Sequence, residues 1–190
     1  MFVAELTDKD ALFLLALATK TKATVVFAAG SVAFTISTAI IVLVGSALLT
    51  LVPVIWIKLV GGAIMVAYAI WESTRRTIGG PELERRENKV LGRLAGGQWS
   101  VFLPAVLALI TLDLAGDATE LLTVVLLAHF GDILVVFVGA VIGLVAATAV
   151  ETALGNRLGR LLSPKRIKNL SVVVLLAIGT AIIVTSLLNF

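Results

Sequence analysis

Six apolar segments, each close to the length needed to cross a lipid bilayer, constrain this chain more than any other feature of its sequence. A membrane-spanning helix requires about 20 predominantly apolar residues. With a mean hydropathy of +1.11 and only 14% charged residues, the chain is far more apolar than a soluble domain requires. We therefore predict an all-α integral membrane protein with six transmembrane helices, at 1–19, 24–50, 54–71, 99–128, 133–155 and 168–189.

The basic residues are sorted almost entirely to one side of this arrangement. Cytoplasmic loops of membrane proteins carry an excess of lysine and arginine. We therefore expect the loops at 20–23, 72–98 and 156–167 in the cytoplasm and both termini outside, in the plasma membrane of a prokaryote. These loops and their borders hold 13 of the 15 basic residues, namely Lys20, Lys22, Arg75, Arg76, Arg85, Arg86, Lys89, Arg93, Arg157, Arg160, Lys165, Arg166 and Lys168.

Several classes of partner and activity are disfavoured by the composition. The net charge of +3 comes from basic residues that border apolar spans, so we expect contact with the lipid bilayer and not with nucleic acid. The chain has no cysteine and only one histidine, His129, which disfavours thiolate and zinc chemistry. No nucleophile and base occur together near the middle of a predicted span, so we expect neither an enzyme nor a bound cofactor. Homo-oligomerisation is left open.

A polar segment at 73–98 separates two halves, 1–72 and 99–190. We expect a charged cytoplasmic linker containing a short amphipathic helix that begins at Pro81. That helix would either lie on the lipid surface or belong to a solvated linker. The halves resemble each other at a nearly constant offset, as in Val26-Phe27-Ala28-Ala29-Gly30 and Val136-Phe137-Val138-Gly139-Ala140. Because each half has three spans, the prediction is two inverted three-helix repeats, a plan common in secondary transporters.

Acidic residues occur deep within the first and fourth predicted spans. Counting about 1.5 Å per residue from the span ends places Asp8 and Asp117 roughly 18 to 20 Å from a membrane face, near the middle of a hydrocarbon core about 30 Å thick. A regular helix would put Asp113, Asp117 and Glu120 on one face. A charged side chain at that depth costs roughly 2.5 to 3.5 kcal/mol, so several of them need compensation. The acids are Glu5, Asp8, Asp10, Asp113, Asp117 and Glu120.

Three kinds of compensation are available to these carboxylates. Crowded buried carboxylates bind protons, and hard divalent cations such as Ca²⁺ and Mn²⁺ prefer oxygen ligands and displace those protons. Lys9 can supply a counter-charge, and Thr119 can add a hydroxyl ligand. Alternatively, the acids only pair with Lys9 or fix helix packing. Glu151, near the end of its span, is expected to be solvated or paired with Arg157.

The first acidic motif resembles that of a known family. Glu5-Leu6-Thr7-Asp8-Lys9 resembles the Glu-x-Gly-Asp-Lys-Thr signature of the GDT-type cation/proton exchangers, relatives of the Golgi manganese and calcium exchanger in the lysine-exporter superfamily. The resemblance implies six spans with two copies of the signature, with Glu5, Asp8 and Asp117 as cation ligands and Thr119 matching the hydroxyl. In the second copy Leu114 stands where glutamate is expected, one residue after Asp113.

These observations favour a secondary transporter that exports a divalent cation, Mn²⁺ or Ca²⁺ first, in exchange for protons. The predicted ligands are Asp8 and Asp117, then Glu5 and Asp113. Asp10 and Glu120 are predicted to carry protons or act as outer ligands. Two alternatives remain at this point, namely an exporter of another solute, such as cadmium or a cationic amino acid, and a non-transporting membrane subunit.

Overall fold

Helices make up nearly all of the described chain, and no strand occurs in it. The computed structural model describes residues 1–5, 9–74, 81–114, 118–161 and 164–188. Two short 3₁₀ segments, Leu94–Gly96 and Gln98–Val101, precede the sixth helix. The helices are α1 (Phe2–Glu5), α2 (Lys9–Lys20), α3 (Ala23–Leu51), α4 (Val54–Thr74), α5 (Pro81–Leu91), α6 (Phe102–Asp113), α7 (Ala118–Phe130), α8 (Ile133–Leu161) and α9 (Pro164–Leu188).

Three helices in the described ranges are long and apolar enough to cross a membrane, and they are α3, α4 and α8. Shorter apolar helices cover 98–113, 119–130 and 172–188. Large aliphatic side chains on the long helices are exposed, including Leu43, Leu51 and Leu134. This outward apolar surface is the one that a lipid-facing helix presents, and it identifies an integral membrane protein.

The helix predicted at 1–19 includes residues outside the described ranges. One other predicted span differs from the structure: we predicted a single helix at 99–128, but α6 ends at Asp113 and Leu114 forms a turn. Hydropathy missed this because it measures the cost of transferring side chains into lipid and not the continuity of backbone hydrogen bonds. The predicted loop at 156–167 is also wrong in extent, since α8 continues to Leu161 and α9 begins at Pro164.

The helices of the first half recur in the second half with nearly the same spacing along the chain. α2, α3 and α4 begin at Lys9, Ala23 and Val54, and the corresponding helices α7, α8 and α9 begin at Ala118, Ile133 and Pro164. The helices α3 and α8 also have the same length, 29 residues. The interval between corresponding helices matches the offset at which the two halves of the sequence resemble each other.

Small and polar side chains line the contacts between the long helices. α3 packs against α6 and α8, and α4 packs against α9. The buried residues of α3 include Ala29, Gly30, Ala33 and Ser37. A Cβ on Gly30 would lie 2.7 Å from Cγ2 of Thr148 in α8, so only glycine permits this approach. Close packing through small residues is typical of helices in membranes, where neither partner gains from leaving water.

The linker helix α5 packs against the bundle. It contacts α2 and α6, and Val90 is buried in the main apolar cluster together with Phe13 and Leu17. Glu87 accepts a hydrogen bond from Lys20 Nζ at 2.6 Å. α5 therefore holds the two halves of the chain against each other through an apolar contact and an ion pair.

Candidate cation-binding site

Four of the predicted acids lie in described parts of α1, α2, α6 and α7. Glu5 is the last residue of α1, and Asp113 is the last residue of α6. Asp10 and Glu120 each stand in the first turn of the following helix, α2 and α7. A carboxylate in the first turn of a helix is stabilised by the helix dipole, which favours the negative charge there.

Three of these carboxylates are withdrawn from solvent and lipid. Glu5 and Asp10 are each 1% exposed, and Asp113 is 3% exposed. Glu120 is half-buried. The predictions for Asp8 and Asp117 fall outside the described residues, as does the side chain of Lys9. The described part of the chain thus buries three of the six predicted acids.

Helices that carry acids in the first half contact helices that carry acids in the second half. α1, which ends at Glu5, contacts α7, which carries Thr119 and Glu120. α2, which begins beside Asp10, contacts α6, which ends at Asp113. Two helices of the first half that carry acids therefore each contact a helix of the second half that also carries one.

The predicted register in the second motif is wrong. Placing Asp113 and Glu120 on one face assumed a continuous helix between them, whereas α6 ends at Asp113 and α7 begins at Ala118. Leu114 forms a turn, and its N–H reaches back to the carbonyl oxygen of Ile110. Helical spacing therefore does not fix the position of Asp113 relative to α7.

Thr119 offers a hydroxyl that the described residues do not satisfy. Its side chain is 2% exposed, and its Oγ1 has no hydrogen-bond partner in the described part of the chain. Its carbonyl oxygen, in contrast, accepts a hydrogen bond from the Thr123 hydroxyl at 2.7 Å. A buried hydroxyl without a partner is costly, and an oxygen-coordinated cation is one partner that it could take.

A complete metal site is not present among the described residues. Within 1–5, 9–74, 81–114, 118–161 and 164–188 no group of three or more histidines and carboxylates is close enough to hold a metal ion. The two residues predicted as principal ligands, Asp8 and Asp117, are outside those ranges. The ligand set therefore remains a prediction from the sequence.

Glu151 is buried, so the expectation that it is solvated is wrong, while its pairing with Arg157 falls outside the described residues. We expected it to be solvated or paired with Arg157, but it is only 1% exposed, and the Arg157 side chain lies outside the described residues. Neither of its carboxylate oxygens has a hydrogen-bond partner in the described ranges. The available signal was its spacing from Ala147 and Thr148, which puts the three residues on one helical face.

The chain matches the model of a known family over most of its length. The model of the family described as divalent cation/proton antiporter GDT1 matches residues 1–77 and 98–189. The unmatched residues between these segments include the whole of α5. No curated protein and no solved structure matches the chain significantly.

Proposed function

Because the chain belongs to the GDT1 family of divalent cation/proton antiporters, we propose that it exports Mn²⁺ or Ca²⁺ across the plasma membrane of a prokaryote in exchange for protons. The observation that carries this proposal is the family match over both halves of the chain, since each half contributes one of the two acidic motifs. Oxygen is the ligand type that hard divalent cations select, and the motifs offer mainly carboxylates.

The proposed cation site lies between α1 and α2 of the first half and α6 and α7 of the second half. Asp8 and Asp117 are its principal ligands, Glu5 and Asp113 complete it, and Thr119 contributes its hydroxyl. The burial of Glu5 and Asp113 supports this assignment, as does the unsatisfied hydroxyl of Thr119. In other transporters the ends of discontinuous helices near the midplane bind the substrate and the coupling ions.

The proposed exchange follows from competition between protons and a cation for the same carboxylates. Protons neutralise the buried acids when no metal is bound, and a divalent cation displaces them. Asp10 and Glu120 serve as proton carriers or outer ligands, and Lys9 supplies a fixed counter-charge. Because the cation and the protons exclude each other, the carrier returns loaded with one or the other, which couples the two fluxes.

The proposed architecture is two inverted repeats of three spans around this site. The nearly constant interval between the starts of corresponding helices supports two equivalent halves. An odd number of spans per half inverts the second half relative to the first. The basic residues between and beside the halves support a cytoplasmic linker and external termini, because cytoplasmic loops carry an excess of lysine and arginine.

The proposal is tested by cation-driven proton movement in proteoliposomes. The purified protein is reconstituted with a pH-sensitive dye inside vesicles whose interior is acidic. External Mn²⁺ or Ca²⁺ should raise the internal pH, because each cation that enters displaces protons outward. Cd²⁺ and lysine, added in separate arms, test the alternative substrates. Alkalinisation by lysine or Cd²⁺ but not by Mn²⁺ or Ca²⁺ would overturn the assignment of the cation.

A further inference from the structure

Glu151 is buried on the face of α8 that packs inside the bundle. Leu144, Ala147 and Thr148 precede it on that face at helical spacing, and all three are buried. α8 packs most extensively against α3 and α2. The carboxyl of Glu151 is consequently enclosed by the protein, although its position near the end of the span would allow it to reach water.

Glu151 lies beyond the point at which α8 contacts α1. A Cβ on Gly143 would lie 2.9 Å from Cβ of Met1, so α1 packs against α8 at Gly143. Thr148, five residues later, lies against Gly30 of α3. Glu151 is eight residues beyond Gly143, or about 12 Å along the helix, toward the end that carries Arg157 and Arg160.

Few ionisable side chains occur in the described parts of the helices that pack against α8. α3 has no ionisable residue, and the described ionisable side chains of α2 are at its two ends. Of these, Lys20 already pairs with Glu87. The described ionisable side chains on the helices packed against α8 are Glu5 in α1, Asp10 and Lys20 in α2, and Glu120 and His129 in α7.

The hydroxyl groups nearest to Glu151 in the sequence, those of Thr148 and Thr152, donate to backbone carbonyls and not to its carboxylate. Thr148 donates its hydroxyl to the carbonyl oxygen of Leu144 at 2.9 Å, and Thr152 donates to that of Thr148 at 2.7 Å. A carboxylate that is buried without a partner is costly, and a bound proton removes most of that cost. The arrangement therefore favours a carboxyl that holds a proton whenever it is closed off from water.

We infer that Glu151 is a proton-binding residue of the exchange cycle and is not itself one of the predicted cation ligands. This inference rests on the proposed function. When α8 and its neighbours open this position to water, the carboxyl O–H bond breaks, the electron pair stays on the carboxylate oxygen and the proton passes to water. Before the position closes again, the carboxylate takes up a proton from water and the O–H bond re-forms. The corresponding position in the first half, at the offset that relates α3 to α8, is Ile41, so this proton site belongs to the second half only.

Two transport modes distinguish proton coupling from cation binding. In exchange mode, vesicles loaded with unlabelled Mn²⁺ take up radiolabelled Mn²⁺ at equal pH on both sides, which needs no net proton movement. In driven mode, empty vesicles with an acidic interior accumulate radiolabelled Mn²⁺. The variant is Glu151→Gln, which keeps the shape of a protonated carboxyl. Glu84→Gln is the control, because Glu84 is an exposed acid on α5.

The expected result is that Glu151→Gln retains the exchange rate of the wild type but loses driven uptake to the level of protein-free vesicles, while Glu84→Gln changes neither. Driven uptake equal to that of the wild type would overturn the inference, as would loss of both modes in a variant with normal thermal unfolding. If Glu151→Gln does not fold, Glu151→Asp should shift the pH profile of driven uptake, and an unchanged profile would contradict the inference. A wild type inactive in both modes would refute the proposed function itself.

Discussion

Gly62 in α4 and Gly179 in α9 approach each other so closely that a Cβ on either would lie 3.0 Å from the backbone carbonyl oxygen of the other. The pair lies between two helices that pack extensively along their lengths. Because each contact involves backbone, a rotamer change cannot relieve it. The two glycines therefore set the distance between α4 and α9.

Replacement of either glycine by alanine should destabilise the protein by about 1 to 3 kcal/mol, the usual cost of overpacking. In Gly62→Ala the new methyl would also meet Ile183 at 2.8 Å. Gly139→Ala is the matched control, because a Cβ there has nothing within 4 Å. Thermal unfolding in detergent should show lower midpoints for the first two variants and an unchanged or higher midpoint for the control. Equal midpoints for all three would contradict the close approach.

The linker helix α5 should be held by its apolar contact more than by its ion pair. Val90→Ala removes part of a buried side chain and should lower the free energy of unfolding by about 1 to 3 kcal/mol. This loss lies between those usual for Ile→Val and for Leu→Ala truncations. Glu87→Gln should cost less than about 1 kcal/mol, because the Lys20 side chain of the pair is 52% exposed. Limited proteolysis should cut the linker of Val90→Ala faster than that of Glu87→Gln. The reverse order would show that the ion pair dominates.

Asp132 should fix the start of α8. Its Oδ1 accepts hydrogen bonds from the backbone N–H groups of Leu134 at 2.9 Å and Val135 at 3.1 Å. Asp132→Ala removes these bonds and should cost about 0.5 to 2 kcal/mol, whereas Asp132→Asn keeps an oxygen acceptor and should cost less. Unfolding midpoints of the two variants provide the comparison. An alanine variant as stable as the asparagine variant would rule out the capping role.

The long helices could be predicted from the sequence with small errors. The span predicted at 24–50 is Ala23–Leu51, and that predicted at 54–71 is Val54–Thr74. Apolar length and the break at Pro53 determine these boundaries, and both are local properties. The helical interruption of the fourth span was not predictable in the same way, because the residues from Phe102 to Phe130 stay largely apolar on both sides of Asp113.

The acidic residues of the candidate site could be predicted from the sequence, but the way their side chains pack could not. Asp10 and Asp113 stand out in the sequence because charge is rare in apolar spans, and both are buried. The burial of Glu151 could not be read from its depth, since it depends on which face of α8 the neighbouring helices cover. Helical spacing also failed at the end of α6, because Leu114 forms a turn.

The central claim, that Asp8 and Asp117 carry a divalent cation in exchange for protons, is tested most directly by uptake of radiolabelled Mn²⁺ or Ca²⁺ into proteoliposomes with and without an acidic interior. The account predicts that wild-type uptake depends on the pH gradient. It also predicts that the double variant Asp8→Asn, Asp117→Asn takes up no more cation than protein-free vesicles. Wild-type uptake that ignores the gradient, or a double variant that transports as well as the wild type, would contradict the account.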